Sequence, residues 1–182
     1  MVEQMQHTEL QNSDDLLVER TLHGEAPAFG QLVDRHAQAL FRIAFAIVGE
    51  RMQAEDVVQE TFLGAYRGMH RFGRRSAVKT WLVGILVKQA RLALRKRKKM
   101  AALDEQLAGR TTKSDERMDI QQAISLLSEE HREVVVLREF EQLSYEQIAT
   151  ALQVPRGTVE SRLYRARLEM RKNLSGYGKG EP

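Results

Sequence analysis

The sequence predicts an all-α protein made of two small helical domains joined by a flexible linker, and three observations predict it. Apolar residues recur at the 3.6-residue period of a helix along most of the chain, and no segment shows the strict alternation of a strand. The periodicity fades between Lys99 and about Asp115, in the polar stretch MAALDEQLAGRTTKS, which lacks aromatic anchors. Beyond it, a short amphipathic helix, a tight turn and a longer basic helix form a helix-turn-helix pattern. The expected boundaries are a flexible start over residues 1–12, a first domain over 13–99, a linker over 100–114, a second domain over 115–174 and a flexible tail over 175–182.

The first helix opens at Ser13, an N-cap residue followed by Asp14 and Asp15 in the first turn, and ends near Gly24. A long second helix places Phe29, Leu32, Val33, His36, Leu40, Ile43, Ala44 and Ile47 on one stripe and stops near Gly49. In the third, QAEDVVQETFLGAYRGM, the residues Ala54, Val58, Phe62, Ala65 and Met69 make an inward stripe. After the loop HRFGRRSAV, a fourth helix begins around Val78, with Val78, Trp81, Leu82, Ile85, Leu86, Leu92 and Ala93 facing inward and Thr80, Gly84, Lys88, Arg91 and Arg95 on the other side. In the second domain Ser144 and Gln147 have capping-box spacing, and Leu143 with Ile148 suit a hydrophobic staple. That helix carries Ile148, Ala149 and Leu152 inward and stops before Pro155, which suits the first turn of the next helix. The last helix buries Val159, Leu163, Ala166 and Met170. The glycine usual in such a turn is absent, with Gln153 and Val154 in its place.

Composition excludes several chemistries. With no cysteine there is no disulfide, thiolate zinc site or cysteine nucleophile, and the five scattered histidines lack metal-ligand spacing, so neither metal nor cofactor is expected. His36 falls on an apolar stripe, as a hydrogen-bonded core residue would. The richest apolar run, LFRIAFAIVG, is interrupted by Arg42 and too short to span a bilayer, and the acidic N-terminus has no signal-peptide pattern. The expected setting is the cytoplasm, without membrane insertion. Net charge is only +3, but its distribution is uneven: Met1 to Tyr66 holds 4 basic and 11 acidic residues, whereas Arg67 to Lys99 holds 12 basic and none acidic. Met100 to Pro155 then holds 5 and 11, and Arg156 to Pro182 holds 7 and 3. Basic zones of this kind attract phosphate, while acidic zones suit a basic partner or a competitor for the basic zones.

The third helix poses a question of its own. Opposite its inward stripe lie Asp56, Gln59, Glu60, Leu63 and Arg67, an acidic and amide-rich face with a leucine that points away from the core. Taken alone, such a face reads first as solvated surface.

Three segments, in order, resemble the extracytoplasmic-function sigma factors, small members of the sigma-seventy family of bacterial transcription initiation factors. AEDVVQETFLGAYRGMHRF is similar to the polymerase-binding part of their domain two, and TWLVGILVKQARLALRKRKK to its promoter-melting and minus-ten helix. LSEEHREVVVLREFEQLSYEQIATALQVPRGTVESRLYRARLEMRK is similar to their domain four. The likeness runs from about Ala26 to Asn173. It implies a factor, not an enzyme, that binds core RNA polymerase through the largest-subunit coiled coil and the flap, recognises promoter DNA, is held by an anti-sigma factor and works at the nucleoid. It implies that Asp56, Gln59, Glu60 and Leu63 dock on the polymerase. His70, Arg71, Phe72, Arg74, Arg75, Lys79, Trp81, Lys88, Arg91 and Arg95 would serve minus-ten DNA, the cations tracking phosphates while His70, Phe72 and Trp81 stack on or wall in an unpaired base. At the minus-thirty-five element, Glu160, Ser161, Tyr164 and Arg165 would read bases, with Arg156, Thr158 and Arg162 nearer the backbone.

The chain departs from the family pattern in places, one being the loop FGRRSAV, where relatives commonly include an acidic residue. Lys88 and Leu92 replace the asparagine and aspartate common in the minus-ten helix, and Glu160 stands where relatives often carry a basic residue. A glutamate accepts from a cytosine amino group but repels phosphate. The competing reading is a free-standing helix-turn-helix regulator. A nucleic-acid enzyme fits poorly, because Arg67 to Lys99 offers no carboxylate for a catalytic Mg²⁺.

Overall fold

A computed structural model describes residues 13–104 and 120–177. The expected flexible start, most of the linker and the end of the tail therefore lie outside the described residues. Among the described residues eight α-helices follow in order: α1 (Asp14–Leu22), α2 (Ala26–Val48), α3 (Arg51–Gly68), α4 (Val78–Asp104), α5 (Ile120–Ser125), α6 (Glu129–Val135), α7 (Tyr145–Leu152) and α8 (Arg156–Tyr177). A 3₁₀ turn (Met69–Arg71) follows α3, and a π-helical turn (Val136–Phe140) continues α6. Among the described residues there is no strand, and no helix is long and apolar enough to cross a membrane.

Local chemistry sets the helix ends. The Ser13 hydroxyl accepts the Leu16 N–H at the start of α1, and the Glu50 carboxylate accepts the N–H groups of Met52 and Gln53 at the start of α3. Gly49 ends α2 in the left-handed region at φ 76°, where a side chain would be strained. The last carbonyls of α2 are claimed from afar: Arg97 donates to Val48 O at 2.9 Å and Arg132 to Ile47 O at 2.8 Å. Ser144 and Gln147 form the full capping box of α7. Gln153 takes the left-handed conformation at φ 56° and so occupies the turn without the expected glycine. Ser144→Ala is expected to lower stability by about 1 kcal/mol, read as a shift of the urea midpoint at unchanged slope.

Helices α1 to α4 form the first bundle. His36 is buried and hydrogen-bonded through Nε2 to Asp14 Oδ2 at 2.8 Å, which ties α2 to α1. In α3 the buried stripe is Ala54, Val57, Thr61, Phe62 and Ala65, with Val58, expected inward, only half-buried. Helix α4 differs more. It runs to Asp104, past Lys99, and Leu92, expected inward, is 56% exposed, while Val83, Val87, Ala90 and Leu94 are buried instead. The face expected to be outward is covered in its first half, since Thr80 is buried and a Cβ on Gly84 would lie 3.0 Å from the Ala151 carbonyl oxygen, while Lys88 and Arg95 stay exposed. Helix α4 is thus clasped on two sides, by its own bundle and by α7.

The second bundle, α5 to α8, packs around Leu127, Val134, Leu137, Ile148, Val159, Leu163 and Ala166. Its apolar core is continuous with that of the first bundle. Ion pairs join the two. Arg91 of α4 donates from Nε and Nη2 to the two carboxylate oxygens of Glu133, both at 2.6 Å. Glu141, just after the π turn, accepts from Arg42 of α2 at 3.0 Å and from Lys79 of α4 at 2.8 Å.

Candidate nucleic-acid interface and docking face

On α3 the spacing of Asp56, Gln59, Glu60 and Leu63 places them on one side, and all four are exposed, Leu63 at 47%. Neither Asp56 nor Glu60 has an ion pair among the described residues, whereas nearby Glu55 is paired with Arg51. Asp56, Gln59 and Glu60 form one wall of a groove of about 740 Å³ whose other wall is α4, with Leu92, Lys96 and Met100. Leu92 and Met100 are each 56% exposed. The groove is thus acidic on one side, basic on the other and apolar between, the form of surface that accepts an amphipathic helix. Leu92, expected in the core, lies instead at this groove.

The basic zone divides into three groups. His70, Arg71, Arg75, Lys88 and Arg95 are exposed. Arg74, Lys79 and Arg91 are engaged, Arg74 with Glu19 of α1 and the other two across the bundle interface. The hydrogen bonds from Arg74 hold the Glu19 carboxyl below its usual range, and those to Glu133 raise the Arg91 guanidinium above its own. Phe72 and Trp81 are packed, with ring centroids 4.8 Å apart, Phe72 only 9% exposed and Trp81 half-buried. Phe72 therefore does not offer a free stacking face. Both rings line a cavity of about 450 Å³ with Arg71, Arg75 and Lys88, and Thr150, Ala151 and Gln153 of the second bundle line it too.

On α8, Glu160, Ser161, Tyr164 and Arg165 share one exposed face, opposite the buried Val159, Leu163 and Ala166. Tyr164 is 66% exposed. Thr158 is half-buried, and its carbonyl accepts the Ser161 hydroxyl. Arg156 lies at the start of the helix between two carboxylates, Glu146 at 2.6 Å and Glu160 at 2.9 Å, and the hydrogen bond to Glu160 raises its pKa. Arg162 does not join the set. Its side chain is 16% exposed and turned back on α6, where it pairs with Glu130 at 2.9 Å, because its position lies beside the buried stripe and not opposite it.

Three residues that the sequence reading passed over connect these surfaces: Arg42, Glu133 and Glu141. Two of them left a legible mark. Arg42 interrupts an apolar run, and Glu133 stands directly before Val134, Val135, Val136 and Leu137, where a carboxylate must find a cation once buried.

Comparison with known proteins identifies two family regions on the chain. Residues 32–100 match the family described as Sigma-70 region 2, and residues 117–170 match Sigma-70, region 4. RNA polymerase sigma-H factor of Pseudomonas aeruginosa is 37% identical, over 90% of this chain and 95% of its own. ECF RNA polymerase sigma-E factor of Haemophilus influenzae is 34% identical, over 90% and 95%, and the ECF RNA polymerase sigma factor SigW of Bacillus subtilis is 30% identical, over 86% and 94%. Among solved structures, CnrH in complex with the cytosolic domain of CnrY superposes with a TM-score of 0.70 at 27% identity, covering 90% of this chain and 97% of that one. The sigma factor RpoE of Bartonella quintana, in complex with the anti-sigma factor NepR, gives 0.67 at 27% identity, covering 81% and 96%.

Proposed function

The chain belongs to the sigma-70 family, in its extracytoplasmic-function group, and from that premise we propose how its surfaces divide the work of a promoter-specific initiation factor that binds RNA polymerase. Residues 13–99 act as domain two and 115–174 as domain four. The face of Asp56, Gln59, Glu60 and Leu63 docks on the polymerase. The exposed cations of the basic zone meet the minus-ten strand, and the α8 face of Glu160, Ser161, Tyr164 and Arg165 reads the minus-thirty-five element. The protein contributes recognition, and the polymerase contributes the chemistry. An anti-sigma factor is a fitting partner, since the RpoE neighbour is held by one. Its place of action is the cytoplasm, at the nucleoid.

The observation that carries the reading is the α3 face: two exposed carboxylates without an ion pair among the described residues, on the side that its own bundle does not bury. Reconstitution with core polymerase on melted and duplex promoters tests it, the expected result being specific transcription only with the factor present. The free protein is expected to bind duplex promoter weakly and with steep salt dependence, because its contacts are split between two small surfaces, one of them partly covered. Tight, sequence-specific binding by the free protein at physiological salt would instead favour a free-standing regulator.

A further inference from the structure

We propose that Glu133 and Glu141 occupy two phosphate sites of the strand-binding face, the second completed by Arg42, so that the second bundle must leave this face before a single strand can enter. The inference rests on the reading of α4 as the strand-binding helix.

Each carboxylate is held by cations of the first bundle, Glu133 by one and Glu141 by two. The Glu133 side chain is 1% exposed and takes both oxygens to one guanidinium, a fork that Arg91 offers equally well to a phosphate. The Glu141 side chain is 3% exposed and lies between Arg42 of α2 and Lys79 of α4, two cations from different helices meeting on one anion. The stretch Arg67 to Lys99 holds twelve cations and no carboxylate, so the anions that meet Arg91 and Lys79 come from outside it. The second bundle supplies the anions. It also supplies the lid, since α7 lies on α4 at Gly84 and closes one side of the Trp81 cavity with Thr150 and Gln153.

The two states are closely balanced on physical grounds. A buried ion pair gains little over its separately solvated partners, so an incoming phosphate that restores the same bonds to Arg91, Lys79 and Arg42 can replace the carboxylates. Closure then lowers the apparent strand affinity by the fraction of molecules that are open.

The test uses the full chain, a labelled single-stranded DNA and small-angle scattering. Gly84→Leu wedges α4 from α7 without touching a charge, and Glu133→Gln with Glu141→Gln removes the competing anions. Both are expected to enlarge the particle and to tighten strand binding, about tenfold if one molecule in ten is open in the parent protein. Within the Gly84→Leu background, Arg42→Ala is expected to weaken binding and to reduce the salt slope by about one. Unchanged size in both opened variants, or enlargement without tighter binding, overturns the proposal. Lys88→Ala with Arg95→Ala separates this failure from that of the underlying reading: if that pair weakens strand binding while opening does not strengthen it, α4 is still the strand-binding helix and only the exchange is wrong. If neither pair nor wedge changes binding, both fall.

Discussion

Asp56→Arg combined with Glu60→Arg is expected to abolish co-purification with core RNA polymerase while leaving helical content unchanged. The two carboxylates stand one helical turn apart, exposed and without an ion pair among the described residues, so reversing them breaks no salt bridge within the fold. The opposite side of α3 carries the burial, through Ala54, Val57, Thr61, Phe62 and Ala65, and the N-cap at Glu50 and the Arg51–Glu55 pair are untouched. Surface changes of this kind usually move stability by no more than about 0.5 kcal/mol. At an interface the arithmetic differs. Each reversed charge turns an attraction into a like-charge juxtaposition costing several kcal/mol, and about 2.8 kcal/mol already means a hundredfold weaker complex. Leu63→Ala removes apolar contact area without changing charge and is expected to weaken the complex by a smaller factor. Pull-down of core polymerase, with circular dichroism as the control for folding, reads all of these. Undiminished capture of the double variant refutes the docking assignment.

How much of this was legible in the sequence follows from the range of the interactions involved. Helix ends are written within a few residues, so Ser13, Gly49, and Ser144 with Gln147 mark them where the structure has them. A helix buried on one side is equally plain, and the exposed face of α3 could be read as the complement of its buried stripe. Helix α4 defeats that logic because it is buried on two sides. Its second contact is made by small and polar groups, Thr80 and Gly84 against Ala151, which carry no hydrophobic signal. The apolar count was then assigned to one stripe, and Leu92 was drawn inward when it lies at the groove. Past Lys99 the helix continues through the exposed Met100, Ala101 and Ala102, so periodicity fades although the helix does not. The partners of Glu133 and Glu141 are 42, 62 and 99 positions away, and nothing in local pattern encodes a pairing over such separations. What the sequence offered was the charge block itself, a basic zone with no anion of its own, which needed one from elsewhere.

The two basic zones are expected to fail differently when altered. On α8, Arg165 and Glu160 are exposed on the face opposite the core, and their replacement by Ala is expected to re-rank minus-thirty-five sequences, each lost contact being worth about 1–3 kcal/mol. The two variants should also differ from one another. Glu160 holds Arg156 at 2.9 Å, so Glu160→Ala leaves Arg156 with Glu146 as its one remaining carboxylate and freer to meet a phosphate. Its specificity changes while its overall affinity rises, whereas Arg165→Ala loses specificity without that gain. Lys96 and Lys99 lie exposed toward the end of α4, where an ammonium meets phosphates at many registers. Alanine at either is expected to weaken all promoters alike and to flatten the salt dependence by about one unit of slope per lost phosphate contact. Lys98 is intermediate, because in the free protein it already pairs with Glu129 of the second bundle. Removing it loses a phosphate contact but also loosens the closed form, so the net loss is smaller than at Lys96. A promoter library transcribed at two salt concentrations by each variant holoenzyme distinguishes these outcomes. Uniform loss across the library for the Arg165 and Glu160 variants, or re-ranking by the lysine variants, would show that the division between reading and positioning residues is drawn in the wrong place, even with the family membership unchanged.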